Sequence, residues 1–96
     1  AIEVLEQGLE INPFFPQAHF NLSSAYKKSG RNRESLESLE RAVKIEPRFV
    51  AARINLGIAY AERKKIDMAI EQFTEVLKHD PGNARATSAL SQLRNQ

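Results

Sequence analysis

At 96 residues the chain has room for one compact domain, and with 42% hydrophobic and 27% charged residues it reads as globular rather than disordered. A formal net charge of +2 is too small to argue for nucleic acid, four scattered glycines make no phosphate-binding loop, and the absence of cysteine removes disulfides and thiolate chemistry. The longest apolar stretches are a few residues, so neither a membrane span nor a signal peptide is expected. These properties leave the compartment open, with the cytoplasm preferred. Met68 is the only methionine and Ala1 already stands in a helical pattern, so the chain is expected to be an excised piece of a longer protein.

Periods near 3.6 run throughout and period-2 alternation is missing, which predicts an all-α chain of about six helices. Ile2, Leu5 and Leu9 share the face of a first helix that runs to Ile11 and stops at Asn12-Pro13, because the residue before a proline is pushed out of the α region. A second helix should begin near Pro16, turn Ala18, Leu22, Ala25 and Tyr26 inward, and end at Ser29-Gly30, where glycine can take the left-handed cap. The third is expected from Asn32 to Glu46 on Leu36, Leu39, Ala42, Val43 and Ile45, and the fourth from Val50 to about Lys64 on Ala52, Leu56, Ala59 and Tyr60. Asp67 should open the fifth, with Ile70, Phe73, Val76 and Leu77 as its core face, and Pro81-Gly82-Asn83 should end it. Ala84 to about Arg94 makes a sixth, with Ala86, Ala89, Leu90 and Leu93 on one side.

Pro13, Pro47 and Pro81 are equally spaced, and residues 16–49 lie over residues 50–83 without a gap. The overlay pairs Ala18 with Ala52, Asn21 with Asn55, Leu22 with Leu56, Ala25 with Ala59, Tyr26 with Tyr60 and Lys44 with Lys78. A helix pair of this size cannot bury its apolar face alone, so neighbouring pairs are expected to stack into a superhelix with a concave and a convex side. Small residues (Ala18, Ala25, Gly57, Ala59, Ala69) should let helices approach closely, while Tyr26, Tyr60 and Phe73 fill the wedge between one hairpin and the next.

In length and in motif the unit resembles a tetratricopeptide repeat. The second copy reads Arg53-x-x-Leu56-Gly57-x-x-Tyr60, then Ala69, Phe73 and Pro81, against the family's aromatic-x-x-Leu-Gly-x-x-Tyr, alanine, aromatic, proline. The first copy is looser, with His19 at the aromatic place, Ser23 for glycine, Ser35 for alanine and Leu39 for the second aromatic. Residues 1–15 match the second half of a preceding unit, and residues 84–96 a capping helix with Thr87, Ser91 and Arg94 at motif places. The resemblance implies antiparallel helix pairs wound in a right-handed superhelix, and a concave groove that binds a protein or peptide ligand. The alternatives are a structural spacer or oligomerisation module of a larger protein, or the substrate-recruiting arm of a glycosyltransferase.

Catalytic constellations are missing, so neither an enzyme nor a cofactor is expected. His19 and His79 have no acid or cysteine at ligand spacing; His19 fits a packing position, and His79 the last turn of a helix, where a cation favours the dipole. The basic residues Lys27, Lys28, Arg31, Arg33 and Arg63, Lys64, Lys65 end the two first helices and their turns. They read as helix-end chemistry or as steering of an acidic partner; nucleic acid is not expected, because the tyrosines sit at core positions.

Asn21 and Asn55 stand immediately before the motif leucine of each unit. An amide side chain carries donors and acceptors that can pair with the N–H and C=O of an extended peptide whatever its side chains. The pair is similar to the asparagine ladder in the tetratricopeptide repeats attached to O-linked N-acetylglucosamine transferases; the alternative is asparagine merely tolerated on an exposed face. Gln17, Phe20, Ser24 and Lys28, then Ile54 and Ile58, are expected to face the same groove, with Arg85 extending it on the last helix. The family's carboxylate clamp for acidic tails fits poorly, since Asn55 and Arg85 match two of its five places but Phe20, Ser24 and Ala89 occupy the others. The N-terminal helix is expected to leave part of its Ala1, Ile2, Leu5 and Leu9 face bare, and so to self-associate at high concentration or to fray.

Overall fold

The computed structural model describes residues 2–11 and 14–95, without the side chains of residues 9–11. Ala1, the stop at Asn12-Pro13 and the packing of Leu9 and Ile11 therefore lie outside the described residues. The described residues form six α-helices and no strand: α1 (Ile2–Ile11), α2 (Pro16–Lys28), α3 (Asn32–Ile45), α4 (Val50–Glu62), α5 (Ile66–His79) and α6 (Ala84–Arg94). They fall into two compact units, residues 1–49 with α1 to α3 and residues 50–96 with α4 to α6.

In the first unit α2 lies against both α3 and α1. Leu22, Tyr26, Leu36, Leu39, Ala42 and Val43 are buried, as the helical period requires. His19 is buried as well, in keeping with its packing role. Ser23 and Ser35 stand where the repeat has small apolar residues, and both are buried. Their hydroxyls are satisfied locally, Ser23 donating to Phe20 O at 2.6 Å and Ser35 to Ser23 O at 2.8 Å, so the second bond ties α3 to α2. Ile2 and Leu5, expected to be partly bare, are half-buried, and among the described side chains of α1 Val4 is 70% exposed.

In the second unit α4 and α5 form the hairpin and α6 closes on α5. Phe73 is 1% exposed. A Cβ added to Gly57 would meet its Cζ at 2.7 Å and Cε2 at 2.8 Å, so the ring occupies the space a side chain would need. Phe73 therefore joins α4 to α5 across the hairpin. Arg53 Nη1 donates to Gln72 Oε1 at 2.8 Å across the same pair. The N-terminus of α6 is capped by Asn83, whose Oδ1 accepts from Ala86 N at 2.9 Å.

The two first helices end alike. After α2, Gly30 takes φ 78°, with Gly30 N bonded to Lys27 O at 3.1 Å and Arg31 N to Tyr26 O at 2.8 Å. After α4, Lys64 takes φ 63°, with Lys64 N bonded to Ala61 O at 3.0 Å and Lys65 N to Tyr60 O at 2.9 Å. Both are Schellman ends, at equivalent places in the two copies of the repeat. The second stops α4 at Glu62, short of the expected Lys64, by forcing a lysine into the left-handed region. Helix α5 then begins at Ile66, one residue before Asp67.

Two substitutions measure these constraints. Gly57→Ala would gain about 0.5–1 kcal/mol from the backbone but must displace a buried ring, an overpacking cost of about 1–3 kcal/mol. It should therefore lower the urea midpoint at constant m-value. Lys64→Gly removes a left-handed penalty of about 1–2 kcal/mol against a chain-entropy cost of about 0.5–1 kcal/mol. A gain of about 0.5–1 kcal/mol is expected in the same titration, and a loss would mean that the Cβ of Lys64 is not strained.

Candidate functional site

Helix α2 sets Gln17, Asn21, Ser24 and Lys28 along one line, because residues three and four apart share a helix face. Gln17, Asn21 and Lys28 are exposed and Ser24 is half-buried. Gln17 Nε2–H donates to Asn21 Oδ1 at 3.0 Å. That bond uses one of the two acceptor sites of the Asn21 oxygen and leaves its NH2 donors for another partner. Ser24 Oγ lies 3.5 Å from Phe20 O and belongs to its own helix. Phe20 is half-buried, its ring 5.1 Å from that of Phe49 at an interplanar angle of 39°, so one side of it closes the unit. Beside Lys28 an open cleft of about 490 Å³ is lined by Ile2, Glu3, Ala25, Lys28 and Ser29.

On α4, Asn55 and Ile58 are half-buried. Ala51 holds the place that Gln17 holds on α2, so no amide one turn earlier orients Asn55. Ile54 corrects the sequence reading: it is 4% exposed and cannot face an open groove. It stands three residues before buried Gly57, on the edge of the buried arc of α4. Arg85 is exposed in the first turn of α6. The Gln17–Asn21 contact was readable in principle from the i, i+4 spacing of two amides, but nothing in the repeat pattern singled it out.

Arg31, grouped by sequence with the basic turn, is engaged. Its guanidinium lies 4.5 Å from the centre of the Tyr26 ring, and its Nε donates to Glu34 Oε1 at 2.8 Å, with a second bond from Nη2 to Glu34 Oε2. The paired hydrogen bonds hold the Glu34 carboxyl below its ordinary range. Tyr26 Oη–H donates to Glu6 Oε2 on α1 at 2.6 Å. That bond to a carboxylate, reinforced by burial, pushes the Tyr26 phenol up to about 12. The turn after α2 is thus tied to α1, α2 and α3. Among the described residues no group of three acidic, histidine or cysteine side chains could hold a metal ion. No helix among them is long and apolar enough to cross a membrane.

The sequence profile of the tetratricopeptide repeat matches residues 28–93, and the chain belongs to that family. Among solved structures, the first tetratricopeptide domain of Spaghetti (RPAP3) bound to the HSP90 peptide SRMEEVD is similar, with a TM-score of 0.89 and 23% identity over 98% of this chain and 75% of that one. The second such domain of human RPAP3, in complex with the HSP70 peptide SGPTIEEVD, gives a TM-score of 0.88 and 24% identity over 99% of this chain and 79% of that one. MamA gives 0.90 and 23%, and the chain spans 51% of its length. No curated protein matches by sequence. At these identities the structural likeness shows the fold, an all-α tetratricopeptide repeat fold.

The tyrosine gives a pH prediction. The folded chain holds the Tyr26 proton up to about 12, against an ordinary value of 10.0. Its contribution is therefore complete below pH 10.0 and is lost as pH rises toward about 12. Tyr26→Phe should cost about 1.5 kcal/mol at pH 8, the low end for a hydrogen bond to a charged acceptor, because Glu6 is exposed. The difference between wild type and variant should shrink through that alkaline window in denaturant titrations; a constant difference would remove the bond from the account.

Proposed function

We propose that the chain is a protein-binding module, not an enzyme, and that it holds a peptide or protein segment in extended form along the first helix of each unit, the face expected to form the concave groove. The observation that carries this reading is the exposed Asn21 amide, which accepts one bond from Gln17 and keeps its NH2 donors for a ligand. Such a group suits the carbonyl of a peptide backbone. Asn55, at the same register place, is the second rung, as in the asparagine ladders of the O-linked N-acetylglucosamine transferase repeats. Phe20, Ser24, Lys28 and Ile58 border these amides, with Arg85 beyond them.

Two solved relatives of the same fold hold chaperone peptides, HSP90's in one case and HSP70's in the other. An extended peptide is accordingly the ligand class we favour here. An acidic tail is not, because Phe20, Ser24 and Ala89 stand at three of the five clamp places.

Two net hydrogen bonds at about 0.5–1.5 kcal/mol each amount to roughly a tenfold change in affinity. Peptides selected from a random library on the whole chain provide the probe, with SRMEEVD as the acidic comparator. Replacing Asn21 and Asn55 together by alanine should weaken the selected peptides about tenfold with the helical circular dichroism unchanged. Unaltered affinity in calorimetry would take the asparagines out of the site, and tighter binding of SRMEEVD than of selected neutral peptides would restore the clamp.

A further inference from the structure

The turns after α2 and α4 hold equivalent places in the repeat and fold alike, but only the first has its charge engaged. There the left-handed residue is Gly30, and Arg31 after it is held by the Tyr26 ring and by Glu34. After α4 the left-handed residue is Lys64, between Arg63 and Lys65, and all three are exposed. Met68 stands where the first copy has Glu34, so Lys65 meets no acid at that place. Among the described residues, no side-chain hydrogen bond or ion pair holds any of these three cations. Local structure does not account for Lys64 either. Glycine takes this backbone conformation without strain, and Arg63 and Lys65 already set positive charge at the helix end, where the dipole favours it.

The same turn ends the helix that carries Asn55 and Ile58. Arg63 lies roughly 12 Å beyond Asn55 along the helix axis, the reach of about four residues of an extended segment. Glu62 and Asp67 flank the cations. A sheet of anionic lipid would press against both of these acids, whereas single carboxylates of a peptide can sit between them.

We infer that Arg63, Lys64 and Lys65 form a subsite for acidic side chains of an extended peptide held at Asn55, an inference that rests on the peptide-binding reading. The ligand carries Asp or Glu roughly four residues to one side of the unit gripped by the asparagine. These carboxylates belong to the body of the ligand. The clamp for acidic tails is a different site, since its places are Phe20, Ser24, Asn55, Arg85 and Ala89, all within helices. Exposed pairs of this kind act mainly on encounter rate and specificity, and they weaken as salt rises.

A peptide selected on the whole chain, amidated at its C-terminus and carrying Gln at every acidic position, is the neutral reference. It is compared with versions that add a glycine spacer and three glutamates at one end or the other. One extended version should bind about fivefold more tightly at low ionic strength, mostly through a faster association, and lose the gain at about 1 M salt. In Arg63→Gln/Lys65→Gln the extended and reference peptides should bind alike. Lys64→Gly should lose part of the gain while raising stability, so that loss of the fold cannot account for the effect. Equal binding of all versions to the natural chain, or a gain that survives Arg63→Gln/Lys65→Gln, would overturn the proposal. So would capture by vesicles of equal parts phosphatidylserine and phosphatidylcholine, abolished by the same double substitution, with no gain among the peptides. Asn21→Ala/Asn55→Ala is expected to weaken the reference and extended peptides together, so a failure of the asparagine reading stays distinct from a failure of the subsite.

Discussion

Helices of 13 or 14 residues are marginal in water by themselves, so each hairpin depends on how closely its two helices can meet. In the second unit that approach rests on the missing side chain of Gly57, into whose space the Phe73 ring fits. The first unit reaches the same end with serine, whose hydroxyl is small enough for the gap and finds its acceptor on a neighbouring backbone. One solution is apolar and the other polar. Both exclude water from a seam that a larger residue at the first-helix position would force apart.

Electrostatics sharpens this packing more than it drives it. The Arg31–Glu34 pair is exposed and contributes little by itself, but its position on the Tyr26 ring joins it to a buried side chain. Tyr26 in turn reaches Glu6, so a single phenol links α2 to α1, the helix before it in the chain. The basic residues of this turn consequently divide between structure and surface. Arg31 belongs to the turn, whereas Lys28 is exposed beside the Ile2–Ala25 cleft.

In the proposed reading, recognition depends on what the hairpins leave exposed. On the outward line of α2 those residues are Gln17, Asn21 and Lys28, with Ser24 half-buried among them. Even there one acceptor site is in use, because Gln17, one turn earlier on the same helix, donates to the oxygen of Asn21. Phe20 is shared, with one side against Phe49 and the rest exposed next to the amides.

Helix periodicity, the evenly spaced prolines and Gly30 at the end of a helix are local signals, and from them the six helices, the repeat and the family were legible. Turn chemistry and the helical period act within a few residues, so they can be read one segment at a time. Side-chain surroundings cannot. Ile54 looked like a groove residue until the arc of α4 that the fold buries was known, and that the Phe73 ring fills the space beside Gly57 could be seen only in the fold. Lys64 hid the second Schellman end because no glycine marked it; only the register with Gly30 could have suggested it. The sequence by itself determined where helices start, stop and repeat, because those choices are made by neighbours along the chain. Which faces are covered, Ile54 among them, and where the Phe73 ring sits were decided by tertiary structure, because those depend on contacts made between helices.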